Sequence, residues 1–176
     1  GEGQIEGVPS DNDRAAYGGT NDADNSGVMT YVSIRHGGTQ LGAANEINGL
    51  TLGGVGSGTT MHHIEVIANE DDGIEFFGGT VEINYAVVAF VGDDSFDWDQ
   101  GYAGGGHHWF SINDSEMGDR GGELDGDDSP SVTSDGMPFA IPSVSNWTMI
   151  GRGADAGKQG MLFRNGSGGH ISDAII

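Results

Sequence analysis

The chain has 176 residues, with 27 acidic against 6 basic side chains for a net charge of −21, and it contains 34 glycines and no cysteine. That charge repels phosphate backbones and anionic membrane surfaces while drawing in metal ions and basic partners, so nucleic acid is not expected as a ligand. The absence of cysteine rules out a disulfide framework and a thiolate metal site, and no apolar stretch is long enough to insert into a membrane.

A hydrophobic content of 35% is low, yet it is gathered into runs such as YAVVAFV, which is enough for one domain with a real core. Glycine pairs (Gly18-Gly19, Gly37-Gly38, Gly53-Gly54, Gly78-Gly79, Gly121-Gly122) punctuate the chain, and helices tolerate them badly. Short apolar runs rich in β-branched and aromatic residues, separated by Gly, Asn and Asp, predict many short strands.

In chain order, GEGQIEGVPS lacks the basic and apolar halves of a signal peptide. The strand series begins at YVSIRH, whose Val32 and Ile34 correspond to Ile64 and Val66, and continues at NGLTLGG, where Leu50 and Leu52 correspond to Ile74 and Phe76. A shift of 22 residues then lays Asp71-Asp72-Gly73-Ile74-Glu75-Phe76-Phe77 on Asp93-Asp94-Ser95-Phe96-Asp97-Trp98-Asp99, and takes Ile64 and Val66 onto Ala86 and Val88. Farther on, GGELDG repeats SFDWDQG at an interval of 26, with Glu123 on Asp97, Leu124 on Trp98 and Asp125 on Asp99. NWTMIG and GHISDAII supply two more strands after a longer insertion.

Units of roughly 22 to 26 residues with two strand segments each are the mark of a solenoid, in which each turn buries its apolar side chains against its neighbours. A parallel β-helix fits best, as a single domain over 1–176 with longer loops near 126–142 and 151–160. Leucine-rich repeats need a leucine frame that is missing, and an antiparallel sandwich leaves the in-phase acids and aromatics unexplained. The apolar end HISDAII, with no polar cap behind it, points to a fragment of a longer chain or a stacking subunit.

The segments EINGLTLGGVGSGTT, DDGIEFFGGTV and DDSFDWDQGY resemble those of a widespread family of secreted or surface-attached bacterial β-helix proteins, often carrying lipoprotein signals or secretion-system sorting tails. The resemblance covers most of residues 3 to 126. It implies an all-β, right-handed parallel β-helix at an extracellular or bacterial cell-surface location, and it brings no established activity and no catalytic residues.

In a parallel stack, equivalent positions on consecutive turns lie about 4.8 Å apart. Glu75, Asp97 and Glu123 then form one outward column, and Asp99 with Asp125 part of another. Each neighbouring pair of like charges repels by about 1 kcal/mol in water and about 3.5 kcal/mol at an effective dielectric of 20. A hard cation with oxygen ligands relieves this, and calcium is the first choice. The candidate metal ligands are Asp71, Asp72, Glu75, Asp93, Asp94, Asp97, Asp99, Glu123 and Asp125. Against this stands the plainer reading that the acids form a solvated face and that Asp-Asp and Asp-Gly are ordinary turn formers. The chain has neither an EF-hand loop nor a nine-residue calcium-binding repeat.

Other chemistry is weaker. His62-His63 and His107-His108 lie two turns, or roughly 9.6 Å, apart, and adjacent histidines in a strand are expected on opposite faces, which argues against a shared transition-metal site. The DWD at 97–99 and GGHIS at 168–172 faintly resemble the carboxylates and Gly-His segment of polygalacturonase-like enzymes, but the acids are too many to select a pair and the few basic residues are scattered. Phe77, Tyr85, Tyr102 and Trp109 are candidate exposed aromatics for a glycan ligand. The leading expectation is a surface scaffold, adhesin stalk or fibre component that self-associates end to end through its open strand edges. Sequons at Asn113, Asn146 and Asn165 matter only in a glycosylating host.

Overall fold

The computed structural model describes residues 2–9, 12–39, 41, 47–126, 138–156 and 159–176. After two three-residue strands, β1 (Glu2–Gln4) and β2 (Ala16–Gly18), eight-residue and four-residue strands alternate. The long ones are β3 (Val28–Arg35), β5 (Thr60–Ile67), β7 (Glu82–Ala89), β9 (Gly105–Ile112) and β11 (Ser143–Ile150). The short ones are β4 (Leu50–Gly53), β6 (Ile74–Phe77), β8 (Phe96–Asp99), β10 (Gly122–Asp125) and β12 (Met161–Arg164), and β13 (His170–Ser172) opens a further coil. The long strands and β13 form one parallel sheet in the order β13-β11-β9-β7-β5-β3, and the short strands form a second in the order β12-β10-β8-β6-β4. A backbone that returns to each sheet once per coil and pairs only with its previous pass is a parallel β-helix.

The register is the one read from the repeats. Ile74 pairs with Phe96, Glu75 with Asp97 and Phe76 with Trp98; Ile64 with Ala86 and Val66 with Val88; Val32 with Ile64 and Ile34 with Val66; Glu123 with Asp97. Coil length is less even. The central coils advance by 22 and 23 residues, as the hydrogen bonds from Asp94 to Asp72 and from His107 to Asn84 show, whereas the in-register pair Ser33 and Glu65 is 32 apart. Most of the loop expected near 126–142 lies outside the described residues, and the one near 151–160 contains a 3₁₀ turn at Ala154–Ala156. The first two strands depart from the stack, pairing antiparallel with each other.

Between the sheets the core is apolar and rich in aromatic rings. Trp98, Trp109, Trp147, Tyr102, Phe76 and Phe96 are fully buried. Ile64, Ala86, Trp109 and Trp147 follow one another along the long sheet, opposite Phe96, which stacks on Trp109 at 4.4 Å and 9°. Where the next coil would place a side chain over Phe96 stands Gly122, and a Cβ there would lie 3.0 Å from the Trp147 ring, so the glycine is the space the indole fills. The Trp109 indole N–H donates to the Ile83 carbonyl at 2.7 Å.

The core also corrects an expectation. Tyr102 and Trp109 point inward and are 0% and 1% exposed. Phe77 faces outward but is covered by Tyr17 of β2, with ring centroids 6.4 Å apart. Of the four aromatics offered for a glycan, only Tyr85 is exposed.

Removing the ring of Trp109 is expected to lower unfolding stability by about 3–5 kcal/mol. A urea titration of Trp109→Ala checks this, and a loss under about 1 kcal/mol would show that the ring does not sit in the packed stack.

Candidate functional site

The aspartate pairs precede short strands, and their second members have a structural task. Asp94 donates its backbone N–H to Asp72 Oδ1 at 2.8 Å, and Arg120 donates its backbone N–H to Asp94 Oδ1 at 2.5 Å. Each carboxylate thus receives the amide of the coil that follows, two residues ahead of the strand. Asn69 closes the same turn by donating from Nδ2 to the carbonyls of Ile47 at 3.0 Å and Asp72 at 2.9 Å. Asp72 and Asp94 are buried, so the description of a solvated acidic face does not hold for them.

On the strands themselves, period-two alternation sends Ile74, Phe76, Phe96, Trp98 and Leu124 into the core and Glu75, Asp97 and Glu123 to the outer face of the short sheet. There they floor a cleft of about 500 Å³. Gln4, Ile5 and Glu6 from the N-terminal segment form one of its walls, so Glu75 is only 4% exposed. The Tyr17 hydroxyl donates to Gln100 Oε1, and the Gln100 amide reaches the Gln4 carbonyl at 3.4 Å, fastening that wall to the coil.

Charge compensation is uneven along the column. At Glu123 and Asp125, Arg164 donates from Nε to Asp125 Oδ1 at 2.7 Å and from Nη2 to Glu123 Oε2 at 2.5 Å, while Arg120 donates from Nη1 to Glu123 Oε1 at 2.6 Å. At the other end the Asn48 amide donates to Glu75 Oε2. Between them, Asp97 holds its Oδ1 buried without a hydrogen-bond partner. Burial raises the Asp97 carboxyl well above its ordinary range, and the charges of Glu123 and Asp94 push it further. Burial does the same to Glu75, with Asp97 and Asp72 adding to it, and to Asp72, with Asp97 and Asp94 adding to it. Asp94 is raised to about 7, by burial first and then by Asp93 and Glu123. Burial outweighs even the two arginines at Glu123, which is also raised.

Among the described residues, three sets of carboxylates bring one oxygen each within 4.8 Å of one another: Glu6, Asp72 and Glu75; Asp71, Asp72 and Asp93; and Asp93, Asp94 and Asp119. Five of the nine candidate ligands read from the sequence fall in these sets. Asp97, Asp99, Glu123 and Asp125 do not, and the last two are engaged by arginine. Two members were missed. Asp119 carried a signal, because the 26-residue shift that lays Glu123 on Asp97 also lays Asp119 on Asp93. Glu6 carried none, since it belongs to the segment that does not repeat.

The acids also set a pH dependence in cation-free solution. A folded pKa above the unfolded one means that the folded chain holds the proton more tightly, so this contribution is complete below the ordinary carboxylate value and is lost as pH rises through the folded value. For Asp94 that window runs from 3.8 to about 7. With a chelator present, the melting temperature is expected to fall between pH 5 and pH 8, and Asp94→Asn, which keeps the acceptor for the Arg120 amide, is expected to flatten that fall. A melting temperature that rises across the same interval contradicts it.

A family model described as a pectate-lyase-like β-helix domain matches residues 3–176. No curated protein and no solved structure matches the chain. No helix among the described residues is long and apolar enough to cross a membrane. With its two parallel sheets wound from one backbone and a match over nearly its whole length, the chain belongs to the pectate-lyase-like β-helix family.

Proposed function

We propose that the chain is a structural β-solenoid of an extracellular or bacterial cell-surface protein, a scaffold whose acidic short-sheet edge binds calcium. The observation that carries this reading is the gathering of one oxygen each from Glu6, Asp72 and Glu75 within 4.8 Å of one another, beside the in-register Asp97, whose Oδ1 is buried and unpartnered. A buried carboxylate oxygen without a donor is unfavourable unless a proton or a cation meets it. Calcium accepts six to eight oxygen ligands at about 2.3–2.6 Å from carboxylates, carbonyls and water, which suits crowded acids better than the strict octahedron of magnesium.

The ligand sets differ in character. Asp71, Asp72 and Asp93 lie at a turn and bridge two consecutive coils, so an ion there ties one coil to the next. Glu6, Asp72 and Glu75 join the N-terminal segment to the stack, so an ion there fixes the cleft wall. Calcium therefore acts in this reading as a cross-link in a chain without disulfides. Among the described residues β3 is the first edge of the long sheet, beside exposed Val28, and this edge supports end-to-end association of such a scaffold into a fibre or adhesin stalk. The aromatic burial described above weakens the carbohydrate-binding alternative.

The test is thermal unfolding at pH 7.5 in chelator, in excess calcium and in potassium chloride of matched ionic strength. Calcium at about a hundred times its dissociation constant adds about 2.7 kcal/mol, or roughly 5–10 °C in a chain of this size. Asp72→Asn, which removes a ligand common to two of the sets, is expected to abolish most of that gain. If potassium chloride reproduces the effect, the acids are merely screened and the calcium reading fails.

A further inference from the structure

The outer face of the long sheet carries a row of side chains that neither the core nor the acidic cleft uses. At Tyr31, His63, Tyr85 and His108 the backbone takes φ values of 56°, 54°, 61° and 59°. Each stands directly after a laddered residue (Thr30, His62, Asn84, His107) and is skipped by the pairing register. A left-handed residue inside a strand interrupts the two-residue alternation, so its side chain shares a surface with the residue before it. Bulky residues take this conformation only where their surroundings hold them. Here the holding contacts are the rings themselves: Tyr31 stacks on His63 at 4.5 Å and 22°, His63 on Tyr85 at 4.6 Å and 23°, and Tyr85 on His108 at 4.9 Å and 14°.

The expectation that adjacent histidines diverge is thereby overturned at both pairs, since the rings of His107 and His108 also meet, with centroids 4.9 Å apart. His62 and His63 meet with their ring planes at 83° and their Nδ1 atoms 3.0 Å apart. With metal–nitrogen bonds of about 2.0–2.1 Å, that separation subtends about 90–97° at a shared ion. A tetrahedral ion such as zinc needs about 109°, hence nitrogens nearly 3.4 Å apart; the observed spacing is that of two neighbouring corners of a tetragonal Cu²⁺ or Ni²⁺ site. Copper stands highest in divalent affinity for such ligands. Clamped between Tyr31 and Tyr85, His63 has little freedom to lose on binding. The second pair differs: His107 keeps its Nδ1 buried and without a hydrogen-bond partner, closed to an ion from solution.

We propose that His62 and His63 chelate a single Cu²⁺ through their two Nδ1 atoms, with water at the open positions, on the sheet opposite the acidic cleft. Both rings then carry their proton on Nε2, and the Nδ1···Nδ1 hydrogen bond gives way to two metal bonds. The site involves none of the carboxylates assigned to calcium.

Untagged protein, with excess calcium occupying the carboxylates, is titrated with Cu²⁺ against glycine as competitor, and the bound ion is examined by electron paramagnetic resonance. One Cu²⁺ per chain with superhyperfine coupling from two nitrogens is expected. His62→Ala and His63→Asn, the latter keeping a residue that tolerates positive φ, are each expected to weaken binding about tenfold or more, while His107→Ala leaves it unchanged. Circular dichroism confirms that each variant is folded. An oxygen-only signal, undiminished affinity in folded His63→Asn, or loss of binding in His107→Ala instead would overturn the assignment.

Discussion

Each coil of this chain sets its side chains directly on those of the coil before it, about one strand spacing away, and that in-register superposition governs everything else. Inside, it sets aromatic rings against one another from coil to coil, as Trp147 meets Trp109 edge to face at 5.2 Å. At the turns it brings the Asp72 carboxylate to the Asp94 amide and the Asp94 carboxylate to the Arg120 amide. On the outer face it stacks Glu75, Asp97 and Glu123, where the same proximity is repulsive. A fold that gains its cohesion by repetition repeats its liabilities as well.

The chain meets that liability in two ways along one column. Where Glu123 and Asp125 stand, Arg120 and Arg164 supply charge and several directed hydrogen bonds. Around Glu75 and Asp97 the compensation is an amide from Asn48 and a cover from the N-terminal segment, which deepens burial and so raises the penalty for ionisation. Such carboxyls hold protons or attract cations, and in the proposed reading the neighbouring oxygen clusters hold a divalent ion. The calcium reading follows from this asymmetry rather than from acidity alone.

Much of this was legible because the strand period is rigid and the paired register repeats even where coil length does not. The coil period placed Glu75 on Asp97 and Asp97 on Glu123, and the strand period put Ile74, Phe96 and Trp98 inside. Asp72 and Asp94 read equally well as turn formers or ligands, since only coordinates show an amide from the next coil arriving at the carboxylate. Phe77 failed as an exposed aromatic because Tyr17, from outside the repeat, covers it. The histidines failed for a different reason. Left-handed positions are usually announced by Gly or Asn, and Asn146 of β11 carries that signal, but Tyr31, His63, Tyr85 and His108 stand at the same position of the preceding long strands, where residue type does not betray the break in alternation.

The most direct measurement is a double-mutant cycle on Glu75→Gln and Asp97→Asn in calcium-free solution at an alkaline pH, above the raised range in which both carboxyls hold their protons, read by urea unfolding. Carboxylates stacked on adjoining coils are expected to show a coupling of about 1–3 kcal/mol, because neutralising either relieves the other. Effects that add to within about 0.5 kcal/mol would mean that the two acids do not face each other, and the in-register column would be contradicted.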